Sequence, residues 1–142
     1  MTTEADLDWA AQRQRALDAH ARAQADRRAR EAERAAELIG EFVRDAAGRG
    51  IAPVALTAAA HRGSARYRTG LHGWYLDRHR SLGVDTGGRF YLLNVPNSTR
   101  ARLTGVTLEP QPAPLVIGRG GRDGESIPLD VLLRRRLAEP VG

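Results

Sequence analysis

Between His61 and Arg80 the chain reads HRGSARYRTGLHGWYLDRHR, which sets Arg62, Arg66, Arg68, Arg78 and Arg80 among Tyr67, Trp74 and Tyr75, with Asp77 as the one acid. Guanidinium groups bind phosphates through paired donors and aromatic rings stack on bases, so the mixture has the chemistry for RNA or single-stranded DNA. No RNP-like strand, helix-turn-helix pattern or zinc finger accompanies it. Trp74 also suits a core, and charge clusters usually form solvated faces. The same segment holds His72, Asp77, His79 and Ser81, and two imidazoles with a carboxylate are a feasible metal set. The spacing of His72 and His79 has neither helical nor strand logic, however, and Asp77 can equally pair with a neighbouring arginine.

Further along, Gly118-Arg119-Gly120-Gly121-Arg122-Asp123-Gly124 lies between an expected strand and an expected helix, where a phosphate-cradling loop would sit. The third glycine of a GxGxxG motif would fall on Asp123, and a P-loop requires a lysine, which occurs nowhere in this chain. A turn leading into a helix is the expectation, with anion binding by Arg119 and Arg122 as the alternative. Neither Ser64 nor Ser81 lies in a GxSxG elbow, and the absence of cysteine removes thiol nucleophiles, thiolate metal sites and disulfides together. The sequence therefore gives no catalytic residue, no metal site and no cofactor.

What positions these residues is a chain with two textures. All 22 basic residues are arginines, and the formal charge is +5. Residues 1–50 hold 9 arginines against 10 acids, whereas residues 51–142 hold 13 against 7, so the basic surface belongs to the second part. The high pI follows from how high arginine titrates. The first residues are acidic (Glu4, Asp6, Asp8) and no apolar run approaches membrane-spanning length, so a cytoplasmic protein is expected.

Residues 1–49 form the first texture, a polar arm of Ala, Arg, Glu and Gln with no Gly before Gly40 and no Pro before Pro53. These are favourable helix formers, and a segment this long overcomes the nucleation cost. Asp18, Arg22, Asp26 and Arg30 alternate in sign at i, i+4 spacing, with Arg27–Glu31 and Asp45–Arg49 as similar pairs. Gly48 and Gly50 should stop the helix. Ala32, Ala35, Ile39, Phe42 and Ala46 make an apolar stripe that can dock on the rest of the chain, while upstream the stripe thins to Leu7, Ala10, Gln14, Leu17 and Ala21. The thin part either stays solvated or pairs with another helix as a coiled coil, through Leu7, Leu17, Ala21 and Ala25.

Residues 50–142 form the second texture, short apolar runs cut by Gly, Pro and Asn. Ser81 to Val95 reads as a hairpin turning at Asp85-Thr86-Gly87-Gly88, preceded by a strand over Gly73 to Leu76. Further strands are expected over Ile51 to Leu56, Val106 to Leu108 and Leu115 to Ile117. The continuous run Phe90 to Leu93 should be covered on both faces. A C-terminal helix from about Pro128 to Ala138, lined by Leu129, Leu132, Leu133 and Leu137, supplies one cover. The fold class is α+β: a long N-terminal helix, a small mostly antiparallel sheet of about five or six strands, and a C-terminal helix.

The stretches GWYLDRHRSLGVDTGGRFYLLNVP, RARLTGVTLEP and GRGGRDGESIPLDVLL resemble small uncharacterised actinobacterial proteins in which an Ala/Arg/Glu-rich helical head precedes a β-rich tail. The resemblance spans most of residues 45–138 and implies this architecture without implying an activity. The leading expectation is a non-enzymatic interaction or oligomerisation protein whose helical arm meets a protein partner or a second copy of itself as a homodimer. The alternative is a nucleic-acid-associated protein using the Arg/aromatic segment 61–80.

Overall fold

In the computed structural model, residues 3–118 and 126–139 are described. Helix α1 spans Glu4–Gly48, an unbroken 45 residues. It starts on a capping box in which Asp6 N–H donates to Thr3 Oγ1 and Thr3 N–H to Asp6 Oδ2, each at 3.2 Å. Glu4 and Asp6 also place negative charge at the positive end of the helix dipole. At the other end Gly50 adopts φ +72°, the left-handed conformation that glycine takes at least cost. Ile51 N–H donates to Ala46 O (2.9 Å) and Gly50 N–H to Ala47 O (3.2 Å), the paired bonds of a Schellman motif. This turn delivers Ile51 to the core, and its carbonyl accepts the Trp74 indole N–H at 3.0 Å. The glycine stop thus fixes both where the helix ends and where it docks.

The remainder comprises β1 (Val54–Ala60), β2 (Arg66–Tyr75), β3 (Leu82–Asp85), β4 (Phe90–Leu92), β5 (Asn94–Val95), α2 (Thr99–Thr104), β6 (Val116–Gly118), β7 (Ser126–Pro128) and α3 (Leu129–Ala138). Five strands form a sheet in the order β4-β3-β2-β1-β5, and β6 pairs with β7 separately. Most pairings are antiparallel, but β5 runs parallel to β1. Only Leu93 separates β4 from β5. Its N–H donates to Ser81 O at 2.8 Å on the β3 side, and its carbonyl accepts Ala59 N–H at 2.9 Å on the β1 side. One strand therefore closes both edges, and the sheet curls into a small barrel.

Leu56, Ala58, Tyr75, Tyr91 and Leu93 pack inside the curl, where Gly83 leaves room for Leu93: a Cβ at Gly83 would lie 2.9 Å from Leu93 Cδ1. The opposite face carries Trp74, Leu76, Val84 and Phe90, covered by Ala35, Ile39, Phe42 and Ala46 of α1 and by Leu129, Leu132 and Leu133 of α3. Phe42 meets Trp74 edge to face at 6.0 Å and 89°. Ala60, Tyr67 and Ala101 of α2 close one end.

The α+β class, the long helix, the hairpin and the C-terminal helix stand as the residues foretold. Other details differ. Val106 to Leu108 is irregular chain lying against the barrel interior, the first strand runs Val54–Ala60 rather than Ile51 to Leu56, and α2 and the parallel β1–β5 pair were not foreseen. The run Phe90 to Leu93 is covered on both faces except at Leu92, which is exposed. The alternating-charge ladder is not formed as expected: Arg22 Nε donates to the Asp18 carbonyl at 3.4 Å, and Arg34–Glu37 at 3.2 Å is the one ion pair of α1 among the described residues.

Candidate functional site

Two surfaces carry the residues singled out above. The first is the arm. Every residue from Thr3 to Glu31 is exposed, and the first buried side chain of α1 is Ala35. At 1.5 Å per residue, the helix before Ala32 projects roughly 40 Å beyond the body. Leu7, Trp9 and Leu17 remain 61%, 62% and 56% exposed. With about 100° per residue, Ala10, Leu17, Ala21, Gln24 and Arg28 fall within about 30° of the line through the buried Ala35, Ile39, Phe42 and Ala46. Of the four residues expected at a partner-helix interface, Leu17 and Ala21 lie on this line, and Leu7 and Ala25 flank it by about 70°. Trp9 lies to one side, with the Arg13 guanidinium 5.4 Å from its ring centre. Trp9 is one of the functional candidates whose signal in the sequence is an aromatic side chain within an otherwise polar run.

The second surface is the Arg/aromatic segment, and here the tyrosines are not where base stacking needs them. Tyr67 is 2% exposed and Tyr75 5%. Both point into the barrel. The Tyr67 hydroxyl accepts Ser98 N–H at 2.9 Å and so anchors the start of α2, while the Tyr75 hydroxyl accepts Thr57 N–H at 2.9 Å. Neither ring presents a free face to a nucleobase, which corrects the stacking role expected for them. Burial works to raise the Tyr75 phenol, but hydrogen bonds with Thr57 and the charge of Arg66 outweigh it and hold the group below its ordinary value.

Arg66 is also committed within the molecule: Nε donates to Thr57 Oγ1 and Nη2 to Thr57 O, both at 2.7 Å, and Nη2 reaches Arg80 O at 3.1 Å. The Arg66 and Arg80 guanidiniums lie 5.9 and 5.5 Å from the Tyr75 ring centre. Arg68 donates to Leu103 O at 3.1 Å, and Arg78 pairs with Glu139 at 3.2 Å on the surface. Arg62 uses its backbone, exchanging bonds with the Asn97 side chain. Arg62, Arg68 and Arg78 are exposed and can offer charge to phosphate, but no aromatic residue of the segment stands beside them with an open face.

The His72, Asp77, His79 and Ser81 group does not converge: His72 lies in β2, opposite Ala55, and Asp77, His79 and Ser81 lie in the turn that follows the strand. Asp77 Oδ1 accepts Ser81 N–H (2.9 Å) and Leu82 N–H (3.0 Å), and its other oxygen accepts the Ser81 hydroxyl. Arg80 takes φ +56° within this turn. Asp77 therefore holds the β2–β3 connection by capping its backbone donors. No group of His and acidic residues suited to a metal ion occurs among the described residues. Arg119 and Arg122 of the glycine-rich loop lie outside the described residues.

Two buried charges went unnoticed in the sequence. Asp85, 4% exposed, accepts from Gly87 N–H (3.0 Å), Arg89 N–H (2.9 Å), Arg89 Nε (2.9 Å) and the Tyr91 hydroxyl (3.0 Å). Arg136, 7% exposed, donates through Nε to Tyr75 O at 2.7 Å and through Nη1 to Glu139 O at 3.3 Å. Desolvation by burial lowers its pKa from arginine's ordinary range. Asp85 organises a hairpin and Arg136 ties α3 to the end of β2, so both are accounted for by the fold. No helix of the described residues is long and apolar enough to cross a membrane. No family model matches this chain, and neither a curated protein nor a solved structure is similar enough to it to stand as a relative.

Proposed function

We propose that this protein is a non-enzymatic interaction module: the compact body is a mount, and the free length of α1 is the working part that meets another helix. The observation carrying this reading is the contrast along one helix, whose last four turns are clamped in the core while Thr3 to Glu31 are exposed without exception. A polar helix gains most of its stability from packing, so a long uncovered length with Leu7, Trp9 and Leu17 on it is best understood as a surface awaiting cover. The capping box at Thr3 supports this reading, because it stabilises the far tip of the rod. A soluble partner or a second copy is the kind of ligand such a surface fits. The test compares the full chain with one shortened to begin near residue 30, by light scattering and by capture of protein partners. Shortening should abolish association. If the full chain is monomeric and captures the same proteins with or without its arm, the reading fails.

A further inference from the structure

The charges on the exposed length of α1 are segregated. Its tip carries Glu4, Asp6 and Asp8, three acids with no base among them; the part next to the body carries Arg22, Arg27, Arg28 and Arg30 against Asp26 and Glu31, a net of two positive charges. The two ends of one rod therefore bear charge of opposite sign. Among the described residues none of Glu4, Asp8, Arg27, Arg28 and Arg30 has an ion-pair partner within its own chain. At the midpoint of the exposed length stands Leu17, 56% exposed and in line with the buried stripe of Ile39 and Phe42.

We infer, building on the interaction reading above, that the occupant of the arm is a second copy of this chain, laid antiparallel along it with Leu17 near the two-fold axis. Charge and register together select this arrangement. Charge complementarity requires the acidic tip of one copy to lie on the basic base of the other, whereas a parallel pair would set three acids against three acids and arginines against arginines. Full overlap of the exposed lengths brings residue 17 or its neighbour to the centre, so the same register that pairs the charges also stacks the largest apolar group of the line on its twin. The alanines of that line, Ala10 and Ala21, let two helix backbones approach closely, while Arg28 can lay its methylenes along the seam and turn its guanidinium to the partner's tip. A two-fold pair uses the same patch on both copies and closes without leaving an open end. The bodies then stand at opposite ends of the paired rods.

The chain has no cysteine, so single introduced cysteines report the orientation directly. Ala10→Cys, Ala21→Cys, Gln24→Cys and Arg28→Cys all fall at exposed positions and should leave the fold intact. Under oxidation, Leu17→Cys should cross-link to itself. Ala10→Cys should not, yet should form a mixed disulfide with at least one of the Ala21, Gln24 and Arg28 variants, and the best of the three fixes the register. Light scattering should show a dimer at low salt, and replacing Glu4, Asp6 and Asp8 by their amides should weaken it at least about tenfold. Efficient self-cross-linking of Ala10→Cys would establish a parallel pair, which overturns the antiparallel inference and leaves the arm as an association surface. A full chain that is monomeric at every concentration, while still capturing another protein only when its arm is present, overturns self-pairing and leaves the interaction reading standing.

Discussion

Asp85 shows how much a single side chain can organise. Its carboxylate receives two backbone N–H groups of the turn, the Arg89 guanidinium and the Tyr91 hydroxyl, so the hairpin between β3 and β4 and the barrel interior share one anchor. Asp85→Ala strands three backbone or hydroxyl donors and should cost about 3 kcal/mol, whereas Tyr91→Phe removes one bond and should cost about 1 kcal/mol. Urea denaturation of both single variants and the double variant checks this, because the coupling should be of order 1 kcal/mol if the two groups act through one bond. The same pair gives a pH dependence. Burial first, then the bond to Asp85 and its charge, push the Tyr91 phenol above its ordinary value of about 10. The folded chain thus holds that proton more tightly than the unfolded one, so the contribution is complete below about pH 10 and is lost as pH rises through the folded pKa. Above pH 10 the native chain should lose stability more steeply than Tyr91→Phe. Tyr75, lowered rather than raised, is common to both and cancels in the comparison.

At the scale of elements, two glycines decide whether the helix and the sheet meet. Gly50→Ala puts a side chain on a left-handed residue and should cost about 1 kcal/mol by loosening the Schellman turn that presents Ile51 to Trp74. Gly73→Ala is worse, since its Cβ would lie 1.9 Å from Val84 O and 2.7 Å from Asp85 Cα, backbone that cannot retreat without parting β2 from β3. A loss of at least about 3 kcal/mol is expected, read as a shifted denaturation midpoint or as failure to express folded protein. Elements whose causes are local were legible: α1 from composition and its glycine stop, the hairpin from Asp85-Thr86-Gly87-Gly88, α3 from its leucines. The parallel β1–β5 pair was not, because it joins Ala59 to Asn94 across a long stretch of chain through backbone bonds that leave no sequence period. The tyrosines were misread for a related reason. In β2, the five residues from Arg68 to His72 lie against the three of β1 from Thr57 to Ala55, and the two extra residues around Gly70 (φ +73°) keep the alternation in phase, so that Tyr67 and Tyr75 both face inward. Strict alternation through RYRTGLHGWY already sets Tyr67 and Tyr75 on the face opposite Arg66 and Arg68, but it does not say which face the barrel encloses. Helix α2 had one usable signal, Ser98 as N-cap to Ala101 N–H at 3.1 Å, but no acidic residue three positions on to complete a capping box.

For the molecule as a whole, stability and association are divided between two lengths of one helix. The anchored length holds Ile39 and Phe42, each 2% exposed, and Phe42→Ala should cost about 3 to 5 kcal/mol because it removes the edge-to-face partner of Trp74 and leaves a cavity between helix and sheet. The free length buries nothing in its own chain, so deleting residues 1–30 should leave the melting temperature of a dilute sample nearly unchanged. The two lengths are nonetheless one continuous helix, and unfolding of the body frees Ile39 and Phe42 and lets the arm fray from its base. Anything that binds the folded arm and not the unfolded chain must then raise the melting temperature by mass action, by an amount that grows with its concentration. If the ligand is a second copy, the full chain should melt higher as its own concentration is raised, at about 1.4 kcal/mol of added stability per tenfold tighter effective binding, and the shortened chain should show no such slope. Differential scanning calorimetry over a hundredfold range of protein concentration separates the cases, since a flat response in both chains means that the arm does not pair with itself, whatever else it holds.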